Sequence, residues 1–326
     1  MQRENEMENL LIGSARHLEL EGGLRDLEYL MLNLPYKCNL NCQKCCNDPE
    51  ERLLHSSTEP LTLKEIANII IKARDLGVRV LTIMGEGEPF LDENIKGIVE
   101  RTSGAGLIPY IFTNGTMLDA DTVRFLKFSK ASLVIGIDSL DETKYDELTR
   151  SKGFFQKVYK NVQNVREQFK DTHSQIGEYG LRRIAINTVV SQRNKGELPE
   201  IMDFCGEDFV FVCNTPMDIG RAQGNPHFSG QFDTPKTIPL GTTSNGLWCA
   251  YMRNGISVGA GGEILMCAYS LESAGHLGNT RKGDLKRYVG VANASFDSFY
   301  GNATHPRCFL RDGRYEQFIQ TLRERT

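Results

Sequence analysis

The sequence holds a single tryptophan and six histidines, and its apolar runs are short stretches such as "NIIIKA" and "FVFVC". Runs of that length exclude a membrane span, which needs about 20 apolar residues. The opening "MQRENEMENLL" lacks the basic stretch and apolar core that mark a secretory signal. An excess of either sign of charge is lacking too. Lys and Arg number 38 against 42 Asp and Glu, a net charge of −4 over 326 residues. That balance argues against a general nucleic-acid binder or an anionic-membrane binder. There is no tandem repeat and no low-complexity block. Together these absences predict a cytoplasmic protein of ordinary globular composition, with no nucleic-acid or membrane partner.

Cysteine, by contrast, is plentiful. Nine are present, an odd number that argues against a fully paired disulfide framework, and a reducing compartment keeps thiols free for metals or chemistry. Four fall in "YKCNLNCQKCCNDPE", as Cys38-x3-Cys42-x2-Cys45 with Cys46 adjacent. Three thiolates on one short loop can bind three irons of a [4Fe–4S] cube and leave the fourth open, the mark of a catalytic rather than a structural metal site. Zinc is the alternative, with Cys46 or His55 completing the ligand set. Otherwise Cys46 reads as a small buried residue.

Around this loop the chain alternates apolar strands with amphipathic helices. Strand patterns occupy 29–34, 78–84, 108–112, 132–137, 182–190 and 208–213. Helical spacing covers 62–77, about 92–103, 119–128, 154–169 and 195–205. In the longest helix Phe154, Val158, Val162, Val165 and Phe169 share one face. Six strands with five intervening helices predict an α/β fold, a partial (β/α)6 TIM-like barrel, whose chemistry gathers at the C-terminal strand ends. The polar motifs sit there: "GEGEP" (85–89), "TNG" (113–115) and Asp138-Ser139. Beyond residue 222 the chain turns rich in Gly, Pro, Ser and Thr, and "GISVGAGGEILMC" then predicts a β-hairpin.

The cysteine spacing, set after the first strand of a βα array, resembles that of the radical S-adenosylmethionine (SAM) enzymes. The resemblance covers about 29–221. It implies a SAM-binding [4Fe–4S] cluster on Cys38, Cys42 and Cys45, with SAM chelated to the open iron and cleaved reductively to a 5′-deoxyadenosyl radical. By the same resemblance Gly85, Glu86, Gly87 and Glu88 serve the SAM amino group. At the ends of the next strands Thr113, Asn114, Asp138 and Ser139 fit contacts to its ribose or carboxylate and Asn187 a ribose contact, while Arg150 resembles the arginine that pairs with the carboxylate. One departure is Lys44, where the family commonly has an aromatic residue near adenine.

A second set, Cys249-x17-Cys267 with Gly262-x4-Cys267 inside it and then Cys308, resembles the twitch or SPASM-type extension that carries an auxiliary [4Fe–4S] cluster. The usual closing Cys-x2-Cys is here His305-Pro-Arg-Cys308, so His305 or Asp312 becomes a possible fourth ligand, or one iron stays open for substrate. The expected organisation is an N-terminal extension (1–28), the barrel (29–235) and a small C-terminal twitch/SPASM-like domain (236–326).

The implied activity is hydrogen-atom abstraction, with oxidation of a secondary alcohol on a small polar metabolite such as an aminocyclitol or amino sugar. Only about 28 residues precede the first strand, which tilts the expectation from a ribosomal peptide towards a small molecule. The alternatives are radical epimerisation, with Cys213 as hydrogen-atom donor, and peptide modification. A non-enzymatic iron–sulfur or zinc carrier is a further option. Arg221 is expected to orient substrate and Asp218 to accept a proton, both from their position after the sixth strand. Cys205 reads as core. An electron donor such as flavodoxin or ferredoxin is the expected partner.

Overall fold

The computed structural model describes residues 8–47, 59–84, 86–228, 232, 235, 240–241, 249–269, 276–300 and 320. Its centre is a parallel sheet of six strands: β2 (Tyr29–Leu32), β3 (Val80–Ile83), β4 (Ile108–Thr113), β5 (Ser132–Gly136), β8 (Ile184–Val189) and β9 (Val210–Asn214). Helices α2 (Leu63–Asp75), α3 (Ile95–Gly104), α4 (Ala120–Phe128), α5 (Glu142–Thr149), α6 (Phe155–Phe169) and α7 (Leu198–Cys205) occupy the connections. This is the α/β partial-barrel architecture that the alternating pattern implies.

Period-two alternation divides the strands into two layers. Leu30, Leu81, Ile83, Leu133, Ile135, Ile184 and Ile186 pack outward against Ile66, Ile70, Val158 and Val162 of the helices. Tyr29, Val80, Tyr110, Val134, Ala185 and Val212 form a separate cluster on the other face. The register aligns Tyr29 with Val80, Val134 with Ala185 and Asn187 with Val212. Helix ends follow local chemistry. Thr62 and Glu65 form a reciprocal capping box on α2, and Asp119 caps α4.

The structure refines the sequence reading in several places. The stretch 182–190 is two strands, because β7 (Tyr179–Arg182) leaves the large sheet. It pairs with β1 (Asn9–Leu11) and with β6 (Ser174–Ile176) in a small second sheet. In α6 the buried position is Phe155 rather than Phe154, which is the N-cap residue. The hairpin is present as β10 (Gly255–Val258) and β11 (Glu263–Leu265), and it joins the main sheet through parallel pairing of β10 with β2. With β12 (His276–Asn279) the order becomes β12-β11-β10-β2-β3-β4-β5-β8-β9. A helix α9 (Leu285–Tyr300) follows. Among the described residues no helix is long and apolar enough to cross a membrane.

Residues 8–28 of the N-terminal extension are structured. Leu11, with Ala15 and Leu18 of α1 (Ala15–Leu20), packs into the inner apolar cluster. This segment is tied down electrostatically. Glu28 is fully buried and Arg79 clasps it, Nε to Oε2 at 2.6 Å and Nη2 to Oε1 at 2.7 Å. The same guanidinium donates to the Gly23 carbonyl at 2.9 Å. Removing one partner of a buried ion pair leaves an uncompensated charge. Arg79→Met is therefore expected to lose about 3 kcal/mol in urea unfolding, while Glu28→Gln combined with Arg79→Met recovers part of that loss.

Candidate active site at the C-terminal strand ends

The loop 36–47 leaves β2 without regular secondary structure and is held by neighbours on several sides. Cys45 N–H donates to the Cys42 carbonyl at 3.3 Å, closing a turn between two of the thiols. Asn41 and Gln43 N–H groups donate to the carbonyls of Thr149 and Leu148, at 3.0 and 2.9 Å, docking the loop on the end of α5. On another side Glu88 N–H donates to the Lys37 carbonyl at 2.7 Å. Gly87 sits so close that a Cβ there would overlap the Lys37 carbonyl, so glycine is required for close approach. Asn47 Nδ2 reaches the Glu86 carbonyl at 2.9 Å.

Glu88 is buried and takes three donors: Thr113 Oγ1–H at 2.8 Å, Asn114 N–H at 2.7 Å and Phe90 N–H at 3.2 Å. It thereby joins the ends of β3 and β4. Asn114 continues the chain of contacts, with Nδ2 3.0 Å from Asn39 Oδ1 and 3.9 Å from Cys38 Sγ. Burial pushes the Cys42 thiol up to about 12 and raises Cys38 as well, and each of these thiols also feels its cysteine neighbours. Metal ligation requires deprotonated thiols, so a bound cation would offset that burial penalty.

Among the described residues no three Cys, His, Asp or Glu side chains converge on a single metal position. A lone zinc ion needs such convergence, with sulfurs about 2.3 Å from one point. The donor set on the loop is all-thiol, as iron–sulfur clusters take. The loop fits that group.

Other sequence-derived residues fall differently. Asp138, at the end of β5, pairs with Lys44 at 2.6 Å and accepts Val189 N–H at 2.9 Å. Ser139 is fully buried and donates to Glu197 Oε2 at 2.5 Å, so it faces α7 rather than the mouth. Arg150 is exposed at the α5 C-terminus in a left-handed conformation (φ 50°). Asn187 accepts from Asn214 Nδ2 at 2.5 Å, and both are half-buried at the inner parity of β8 and β9. Asp218 is exposed and caps its own loop, accepting Gly224 N–H at 2.8 Å.

Cys213 requires a correction. Val212 belongs to the inner cluster, so its neighbour Cys213 points the opposite way and packs with Val190 and Leu198. It is an outer-face residue, its thiol pushed up to about 11 by burial. Arg221 also departs from expectation. Its Nη1 donates to the Cys42 carbonyl at 3.2 Å, against the cysteine loop. Cys205 is core, as its spacing indicated. Cys46 is half-buried rather than buried.

In the second cysteine set, Cys249 is the N-cap of α8 (Ala250–Arg253) and lies near Tyr29 and Tyr251. Cys267 follows β11, and the next residue, Ala268, has its carbonyl held by Asn33 Nδ2 at 2.9 Å. Gly85, His305, Cys308 and Asp312 lie outside the described residues. Sequence reasoning missed Lys44, Asn39, Asn47 and Gly220 as site residues. Only Lys44 carried a signal, as a cation where an aromatic was expected.

A thiol loop seated at the C-terminal ends of a parallel partial barrel defines a cluster-dependent enzyme class. The family model described as "Radical SAM superfamily" matches residues 32–205, and the chain belongs to that superfamily. It is thus a radical SAM enzyme, a class that takes a [4Fe–4S] cluster and SAM. Among curated proteins it is 29% identical over 212 residues to GTP 3′,8-cyclase 1 of Pseudomonas aeruginosa, covering 63% of this chain and 60% of that one. It is 32% identical over 145 residues to the GTP 3′,8-cyclase of Desulforamulus reducens, covering 44% of each. The chain thus spans about 60% or less of these relatives. Among solved structures, Streptococcus suis SuiB bound to S-adenosylmethionine aligns with a TM-score of 0.61 at 18% identity, over 86% of this chain and 70% of that one. Native anSMEcpe with bound AdoMet aligns at 0.56 and 12%, over 91% and 97%. At these identities the likeness is one of fold.

Glu88 yields a pH dependence. Burial outweighs its three donors and pushes its carboxyl from 4.5 up to about 7. Between those values the folded chain holds a proton that the unfolded chain has lost. Stability therefore falls as pH rises from about 4.5 to about 7 and levels off above. Urea midpoints measured across that range should show this slope in the wild type and a flatter profile in Glu88→Gln.

Proposed function

We propose that this enzyme reductively cleaves SAM and abstracts a hydrogen atom from a small polar metabolite, oxidising a secondary alcohol. The observation that carries the first half is the seating of Cys38, Cys42 and Cys45 against the turn 86–88 and against Asn114. When bound, the cluster and SAM supply one-electron cleavage of the sulfonium to a carbon radical. In this reading the three cysteines hold the cluster. Glu88 positions the turn 86–88 and the β4 end, with Thr113 and Asn114 as its partners, and Glu86 and Gly87 offer backbone acceptors to an ammonium.

Dehydrogenation of a carbinol releases one hydrogen atom, one proton and one further electron. The auxiliary site proposed on Cys249, Cys267 and Cys308, with His305 or another residue as fourth ligand, is the place for that electron. A polar substrate is supported by Asn187 and Asn214, half-buried amides on the inner face at the strand ends. Both are neutral, and the nearby cations Lys44 and Arg221 are engaged by Asp138 and the Cys42 carbonyl. That arrangement suits a polar substrate such as an amino sugar or aminocyclitol. The packing of Cys213 with Val190 and Leu198 gives less support to radical epimerisation, for which it is the named donor.

Anaerobically reconstituted, dithionite-reduced protein should form 5′-deoxyadenosine from SAM, and Cys42→Ala should form none. Absence of the nucleoside from wild type would sink the proposal. Iron counting tests the auxiliary site. Two [4Fe–4S] clusters carry about eight irons, and replacing Cys249, Cys267 and Cys308 together by alanine should halve that count. An equal count in both proteins removes the oxidative half.

A further inference from the structure

The segment after β9 folds back onto the cysteine loop, and two consecutive residues make the contact. Gly220 has φ 59°, and a Cβ there would come within 2.5 Å of the carbonyl carbon and oxygen of Cys46 and 2.9 Å of Asn47 N. Both the conformation and the space demand glycine. Gly220 opens a short 3₁₀ turn, Gly220–Ala222, which anchors through the buried Ala222. The turn delivers Arg221 to the loop, where Nη1 donates to the Cys42 carbonyl at 3.2 Å and the guanidinium lies near Tyr36. Tyr36 and Cys42 flank Cys38, so one cation spans the loop that carries the first two thiols.

We infer that Arg221 is a positioning residue of the cluster loop whose fixed positive charge makes the bound cluster easier to reduce. The inference rests on the radical SAM assignment and replaces the substrate-orienting role expected from sequence. The physical argument is Coulombic. Reduction adds one negative charge to a cluster already carrying thiolate charge, and a half-buried guanidinium held at the loop stabilises the more negative state. Lys44, the other nearby cation, is paired with Asp138 at 2.6 Å, so its field is largely offset. Among the described residues no carboxylate lies within ion-pair distance of Arg221.

The test is an EPR-monitored redox titration of the reconstituted protein without SAM, together with iron content. Arg221→Gln should keep its iron and shift the midpoint to more negative potential, with Arg221→Lys shifting less. An unchanged midpoint in iron-replete Arg221→Gln overturns the inference. If Arg221→Gln loses its iron, Arg221→Lys decides: retained iron with a midpoint near wild type supports a cationic clamp, whereas iron loss there as well overturns the charge role. These readouts do not depend on SAM cleavage. A wild type that binds its cluster but forms no 5′-deoxyadenosine would defeat the proposed function and leave this inference standing.

Discussion

The site depends on the close seating of Gly87 on the backbone of Lys37. The Glu88 N–H to Lys37 carbonyl bond and the missing Cβ let a turn after β3 lie directly on the loop after β2. Those two strands are adjacent and parallel, with Leu32 aligned to Ile83. Parallel register brings their C-terminal ends side by side, but only glycine permits backbone to rest on backbone. The buried Glu88 carboxylate then extends the junction to β4 through Thr113 and Asn114. A loop without regular structure thereby gains the rigidity of the sheet, as a site that must hold a metal cluster requires.

The polar groups around the loop act chiefly on one another. Lys44 is spent on Asp138, Ser139 on Glu197, and Asn187 on Asn214. Buried polar groups need partners, and in a compact mouth the nearest partner is usually another strand-end residue. Several residues that a family resemblance assigns to direct ligand contact are thus engaged with their neighbours. These pairings place backbone and loop at the strand ends, with Lys44 on Asp138 and Arg221 on the Cys42 carbonyl.

Much of the fold was legible because period-two strands and 3.6-period helices leave a direct imprint on residue order. The six barrel strands, the capped helix α2 and the hairpin 255–265 all follow from local pattern. The errors share one cause. Arg182 and Ile184 lie in a continuous β-rich run, yet β7 and β8 join different sheets, because pairing partners are chosen by distant segments such as Asn9–Leu11. Position along a strand likewise did not reveal the face. Cys213 stands at a strand end as expected, but one residue of parity turns it from the mouth to the helices.

By itself the sequence determined the spacing of the thiols, the βα alternation and the turn chemistry at each strand end, since these are set by neighbours a few residues apart. Only the tertiary structure decided which side chains meet there. Arg221 is 179 residues from Cys42 and Asp138 is 94 from Lys44, and contacts over such separations exist only after the sheet has assembled. Their energies depend on burial and geometry, which no local pattern encodes.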